Sequence, residues 1–354
     1  MDTRFLIARH PKLANLSLLT VSVGVALLAT EILLWQFMPG DNVRATASLD
    51  IYEASECCGV TLKPNIRRAT FWNGKKVHIV TNEHGHRVPL DTVRVSGSAA
   101  QVVFCGDSYT FGNEENAADT FPYLIGESSR CRVVNLGVGS YSTHQEIASL
   151  EDHLRRHGSS AIGHVFLVFF IGNDFTDNLP NRLRLEVDSL GRLRLGNSVA
   201  GEWLRQFIYD SHLLSLVVLR ARTIYLNLSY RLSGANRPSL YTSDFYSDGV
   251  IDATMSALQR FGEVCHAHSL QGTVVVIPDK DQVYKQLESG DRHLPNRVLS
   301  QLLEELHLPH VDMLPHFLAS GGDPPLYNMT PAGHLSARGH ELVAQTLTRH
   351  WNDR

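Results

Sequence analysis

The tract Val102-Val103-Phe104-Cys105-Gly106-Asp107-Ser108-Tyr109-Thr110-Phe111-Gly112 constrains this chain more than any other. A short run of β-branched and aromatic residues reads as a buried strand, and it stops at Gly-Asp-Ser. A serine there stands at the carboxyl end of a parallel strand, where α/β enzymes bind their ligands. A helix starting just beyond it would offer unpaired N–H groups that favour negative charge. Two readings follow: a nucleophile whose product is an oxyanion, or a turn in which Ser108 only caps a helix.

The rest of the chain repeats the strand-then-helix pattern. A second strand around Val133 runs into Asn135-Leu136-Gly137-Val138-Gly139-Ser140-Tyr141-Ser142-Thr143, and a third, 165–171, ends in Gly172-Asn173-Asp174. Residues 274–277 read as another buried strand and 310–314 as a fifth. Pro122 suits the first turn of a helix, and Ile147, Leu150 and Leu154 recur at helical spacing within 143–157. Gly333-His334-Leu335-Ser336-Ala337-Arg338-Gly339-His340 opens a final helix. Strands separated by helices predict βαβ crossovers and a parallel sheet covered on both faces, a three-layer α/β/α sandwich.

Gly-Asp-Ser, a glycine block, Gly-Asn-Asp and a late histidine, in that order on strand ends, resemble the SGNH (GDSL) hydrolase superfamily over roughly residues 100–350. The resemblance implies an esterase working through an acyl-enzyme. Ser108 matches the nucleophile, with its own N–H as one oxyanion donor, and Asn173 matches the side-chain amide donor. The middle donor is Ser140, standing where relatives carry glycine, with Gly139 one position earlier. His334 matches the general base, and His340 is expected to be a packing or surface residue. The family's orienting acid precedes the histidine by three residues or two, but Pro331 and Ala332 occupy those places. Asp323 is the first substitute and Asp312 the second, with a backbone carbonyl as a further alternative. No metal or other cofactor is expected.

Residues 13–38 are largely apolar, with Glu31 their one charge, and would extend about 39 Å as a helix, enough to cross a bilayer. Arg4, Arg9 and Lys12 precede them, which predicts a cytoplasmic N-terminus and a single-pass signal anchor. A cleaved signal peptide is the competing reading, although its apolar core would be unusually long. The expected organisation is therefore a short cytoplasmic stretch (1–12), the anchor (13–38), a membrane-proximal segment (39–99) and an SGNH-like domain (100–354). In the segment, 59–65 and 77–87 alternate like strands, and Thr81-Asn82-Glu83-His84-Gly85-His86-Arg87 resembles the lead-in of membrane-anchored bacterial SGNH proteins, an added hairpin on the sheet edge. Residues 178–249 form an insertion with a hairpin around 183–195. Its apolar, arginine-flanked helix at 201–232 either packs over the sheet or rests on the bilayer.

A net charge of −4 and the absence of an Arg/Lys cluster argue against a nucleic-acid partner. Five scattered cysteines form no disulfide framework, although Cys57 and Cys58 could pair with Cys131 or Cys265. The resemblance places the catalytic domain on the periplasmic side of a bacterial inner membrane, acting on an acylated glycan or similar ester. Transfer of the acyl group to a polysaccharide hydroxyl, or a non-catalytic scaffolding role, are the alternatives.

Overall fold

The computed structural model describes residues 11–37, 49–72, 75–91, 100–180, 185–187, 191–195, 239–285, 290–321, 325–328 and 333–352, together with scattered positions between 211 and 224. The chain divides into two compact units, 1–45 with 199–234, and 46–198 with 235–354.

In the first unit, helix α1 spans Pro11–Phe37. Its stretch Asn15–Leu34 has a mean hydropathy of 2.0 and is long and apolar enough to cross a membrane. Glu31 is not left to reach for an interface. Its carboxylate accepts from Ser211 Oγ at 3.0 Å and from the backbone N–H of Leu213 at 2.9 Å, both within the same unit. The helix expected over 201–232 otherwise falls largely outside the described residues.

The second unit opens with the hairpin β1 (Tyr52–Ser55) and β2 (Gly59–Leu62) and the antiparallel meander β3 (Arg67–Trp72), β4 (Lys75–Thr81) and β5 (Arg87–Val88). Beyond them come β6 (Gln101–Cys105), α2 (Ser108–Phe111), α3 (Phe121–Ser129), β7 (Arg132–Asn135), α4 (Thr143–His157), β8 (Ile162–Phe170) and α5 (Asp174–Asp177). The insertion contributes the hairpin β9 (Leu185–Val187) and β10 (Leu193–Leu195). The chain closes with α6 (Asp248–Ala267), β11 (Gly272–Ile277), α7 (Lys280–Tyr284), α8 (Leu294–Glu305), β12 (His310–Asp312), α9 (Leu314–Ala319) and α10 (Ala337–Asn352).

Five strands form one parallel sheet in the order β12-β11-β8-β6-β7. Alternation along each strand decides which face a side chain enters. Val103, Cys105, Val165, Leu167, Val274 and Val276 meet Ile147, Leu150 and Leu154 of α4, Phe261 of α6 and Leu299 of α8. Their neighbours Val102, Phe104, Phe166, Val168, Val275 and Ile277 meet Phe121 and Ile125 of α3, Phe317 of α9 and Val343 and Leu347 of α10. This is the α/β/α sandwich that the alternation predicts. From β6 the chain steps outward to β7, then crosses back to β8 on the other side. The strand order therefore reverses between β6 and β8, and that reversal opens a crevice beyond their carboxyl ends.

The strands of the segment 39–99 differ from expectation. They do not extend the central sheet but form two small sheets of their own. A third core joins Ile51, Tyr52, Val60, Leu62 and Ile79 to Phe111, Val138 and Tyr141, so this segment sits on the loops beyond β6 and β7. All five cysteines are free thiols, and the pairings considered for Cys57 and Cys58 do not form.

His340 is a packing residue. It is 1 % exposed, its Nδ1 accepts from Phe121 N at 3.3 Å, and burial pushes its pKa down to about 3. An unfolded histidine titrates near 6.5, so the unfolded chain binds the extra proton first and stability drops as pH falls from about 6.5 toward 3. One such group steepens the fall by up to ~1.4 kcal/mol per pH unit. Thermal melting between pH 7 and 4 should show a shallower decline in His340→Asn, whose Oδ1 keeps an acceptor for Phe121. An unchanged slope would remove His340 from the account.

Candidate active site

The Gly-Asp-Ser turn is built by close packing. A Cβ at Gly106 would lie 2.0 Å from Thr110 Oγ1, and one at Gly137 would lie 2.3 Å from Phe111 N. The loops after β6 and β7 therefore touch backbone to backbone. Asn135 stitches them together: its Nδ2 donates to Thr110 O at 2.8 Å, and its Oδ1 accepts from Gly137 N at 2.9 Å. The residue that caps α2 is Asp107, whose Oδ1 accepts from Tyr109 N at 2.8 Å. The capping reading of this motif therefore belongs to Asp107. The Ser108 hydroxyl lies 3.0 Å from His334 Nε2.

His334 is carried by the strand-like approach to α10, which begins three residues later than the sequence suggests. Its carbonyl accepts from Asn328 N at 2.8 Å, and Tyr109 Oη donates to the carbonyl of Gly333 at 3.1 Å. The far nitrogen, Nδ1, lies 3.3 Å from Glu114 Oε1. Among the described residues the carboxylate beside the imidazole therefore comes from the loop after Ser108. Asp323, Pro331 and Ala332 lie outside the described residues. Asp312 is engaged elsewhere: its Oδ1 accepts from Asn296 Nδ2 at 2.7 Å and caps α9 through Leu314 N at 2.9 Å.

Sequence reasoning missed Glu114 because it sought an acid at a fixed distance before the histidine. The available signal was local, the polar run Asn113-Glu114-Glu115 closing the Gly-Asp-Ser loop. Glu114 has φ +72°, and its side chain is only 1 % exposed, so the left-handed backbone turns the carboxylate inward. Asn113 was missed as well; its Nδ2 lies 3.4 Å from His334 Nε2. The loop is clamped from below by Arg87, which is fully buried. Its guanidinium donates to the carbonyls of Phe111, of Gly112 at 2.5 Å and of Glu115 at 2.5 Å, and it lies 4.3 Å above the Phe111 ring. Burial lowers its pKa to about 10, which leaves it charged at neutral pH.

Asn173, at the end of β8, faces this loop across the crevice. Its Nδ2 donates to Asp107 Oδ2 at 3.2 Å and to Asp177 Oδ2 at 2.9 Å. Both amide hydrogens are thus directed at carboxylates, one of them the residue before Ser108. Ser140 has φ +68°, the left-handed backbone that suits the glycine expected there. Tyr141, next along, donates its hydroxyl to Val60 O, which ties that loop to β2.

The profile of the GDSL-like lipase/acylhydrolase family matches residues 104–342, and the chain belongs to that family, whose members are ester-hydrolysing enzymes. Among solved structures, a lipolytic protein of the G-D-S-L family from Veillonella parvula is 14 % identical over 71 % of this chain and 97 % of its own, with a TM-score of 0.39. A lipase/acylhydrolase from Enterococcus faecalis is 12 % identical over 71 % and 94 %, also at 0.39. A variant of an acetyl-xylooligosaccharide esterase from Geobacillus stearmophilus is 14 % identical over 72 % and 94 %, at 0.38. No curated protein matches the chain.

Replacing Arg87 by leucine removes the cation from the carbonyls of Phe111 and Glu115 and leaves Gly112 O only the Glu115 N–H at 3.3 Å. A buried unpaired acceptor costs ~1–3 kcal/mol, so Arg87→Leu should lose about 3 kcal/mol or more. Urea unfolding of the two proteins measures this, and a loss below about 1 kcal/mol would mean that the loop does not lean on Arg87.

Proposed function

We propose that the protein is a serine esterase anchored at the outer face of a bacterial inner membrane, removing a short acyl group such as acetyl from a glycan of the cell envelope. The observation that carries the reading is the chain of contacts Ser108 Oγ–His334 Nε2–Nδ1–Glu114 Oε1, at 3.0 and 3.3 Å.

In this scheme Glu114 accepts a hydrogen bond from Nδ1 and leaves the Nε2 lone pair facing Ser108. As Ser108 Oγ bonds to the ester carbonyl carbon, its proton passes to Nε2 and the carbonyl electrons move onto oxygen. The N–H groups of Ser108 and Ser140 receive that oxyanion, joined by the Asn173 amide when a hydrogen turns from Asp177. Collapse breaks the bond to the alcohol, which takes the proton from the imidazolium. Water repeats the sequence and frees Ser108. Asp107 has a separate part, capping α2 and holding the Asn173 amide.

The short acyl group is favoured by the filled floor of the site. Tyr109, Thr110 and Phe111 are buried beneath Ser108, and the Tyr109 ring lies 3.7 Å from that of Phe170. The glycan and the envelope location rest on the family resemblance and on the apolar helix α1. A scaffold without catalysis was attractive while no acid faced His334, and Glu114 takes that argument away.

The purified chain should hydrolyse a chromogenic acetate ester and take up a fluorophosphonate probe. Ser108→Ala should lose both, and Glu114→Gln should cut turnover roughly 10²–10⁴-fold with folding retained. Probe uptake that persists in Ser108→Ala, or an unimpaired Glu114→Gln, would overturn the assignment. A glycan acceptor that outcompetes water would redirect it to acyl transfer.

The anchor makes its own prediction. A periplasmic phosphatase fused after Arg354 should be active, and a reporter that requires the cytoplasm should be silent. The reverse pattern would invert the orientation inferred from Arg4, Arg9 and Lys12.

A further inference from the structure

Four imidazoles meet where the turn between β4 and β5 packs against α4. His84 and His86 stand on that turn, where Asn82 Oδ1 accepts both of their backbone N–H groups at 3.0 Å. His153 and His157 stand one turn apart on α4 and so share a face of the helix. Ring centroids lie 5.7 Å apart for His84–His86, 5.2 Å for His86–His153, 4.8 Å for His153–His157 and 4.4 Å for His157–His84. These four separations close a quadrilateral whose measured diagonal, His86–His157, is 6.5 Å. All four side chains line a cavity of about 1050 Å³ that includes neither Ser108 nor His334.

We propose that His84, His86, His153 and His157 bind one divalent transition-metal ion of the zinc class. Three observations support it. The first is spacing. With a metal–nitrogen bond of ~2.1 Å, an imidazole centre lies roughly 3.2 Å from its ion. Two rings on a tetrahedral ion are then ~5.2 Å apart, and rings on a square-planar one ~4.5 Å along an edge and ~6.4 Å across. The ring separations, 4.4–5.7 Å along the edges and 6.5 Å across, lie within about 0.5 Å of these values.

The second is His153. It is 6 % exposed, yet neither of its ring nitrogens has a hydrogen-bond partner. Buried polar atoms are rarely left so, and a histidine that serves only to pack has no use for two of them.

The third is the engagement of the surrounding charges. Asp152 pairs with Arg155 and with Arg156, the latter at 2.7 Å, and Glu151 pairs with Arg260. Among the described residues Glu83 is the carboxylate that reaches the cluster, its Oε1 3.6 Å from His84 Nε2. Neutral imidazole nitrogens favour zinc, copper or nickel, whereas magnesium and calcium seek oxygen.

Among the described residues no group of three or more His, Cys, Asp or Glu side chains stands, as placed, where it could hold a metal ion. The ion would gather the rings by rotation about their side-chain bonds, from backbone positions that the turn and the helix hold. Binding would join the β4–β5 turn to α4. The residue after His86 is Arg87, which grips the loop carrying Glu114, so the ion would secure that grip without touching the reacting groups.

The test uses the full chain in detergent, stripped with a chelator and titrated with Zn²⁺ against a chromogenic zinc indicator. One equivalent should bind in competition with the indicator, raise the melting temperature, and be indifferent to excess Mg²⁺. His84 and His157 are exposed, so a chain carrying both His84→Ala and His157→Ala should fold and keep its esterase turnover. Loss of even an outer partner of a metal ligand costs 10–100-fold, so removing two ligands should weaken zinc at least ~100-fold and abolish the melting shift. His153→Phe fills the same space without nitrogens and should also weaken binding. Failure to take up zinc, or equal uptake by the double variant, would overturn the proposal, and either result leaves the Ser108–His334–Glu114 reading untouched.

Discussion

One buried cation holds the site together. The guanidinium of Arg87 donates to the carbonyls of Phe111, Gly112 and Glu115, three acceptors on one loop. The loop must leave β6, expose Ser108, and return within six residues to place Glu114 beside His334. Such a path cannot satisfy its own carbonyls with helical or sheet partners. A charged donor with several N–H groups in a plane answers three of them at once. That explains why strands that are not part of the catalytic sheet belong to the same compact unit. They carry Arg87 on β5 and close a third core over Phe111, Val138 and Tyr141.

The sandwich and most of the site could be read in the chain because they depend on local pattern. Buried strands such as 102–105 and 274–277 are runs of β-branched and aromatic residues, and the period of Ile147, Leu150 and Leu154 sets α4. Ser108, Asn173 and His334 each follow a strand or precede a helix, so a short motif marks them. Glu114 carries no such mark. Its role arises from a left-handed backbone and from the fold bringing residue 334 across to residue 114, and no spacing rule contains that information. The strands β1 to β5 are recognisable as strands, but not as a platform beneath the loops. Their partners, Tyr141 and Phe111, lie far along the chain and show no periodicity that points to them.

The histidines illustrate the same limit. Read along the chain, eighteen of them without a Cys-x-x-Cys companion suggest no metal. The i,i+4 pair His153 and His157 becomes notable only when the β4–β5 turn sets His84 and His86 against it. What matters chemically is then the tertiary contact between a turn and a helix, each rigid for its own reason: Asn82 for the turn, the capping box of Ser142 and Gln145 for α4.

The oxyanion side follows a different logic. Asn173 and Ser108 stand at the ends of β8 and β6, the two strands between which the sheet order reverses, so the crevice between them is a product of topology. Electrostatics then act within it. Asp107 and Asp177 both take the Asn173 amide, which fixes its direction but also places negative charge where an oxyanion would form. Like charges in one crevice repel, so an arriving oxyanion disfavours the Asn173–Asp177 contact in particular, since Asp107 is already held by its cap on α2. The resting amide is therefore oriented by one carboxylate and releasable from the other. In the esterase reading proposed above, it is this amide that turns from Asp177 toward the developing charge.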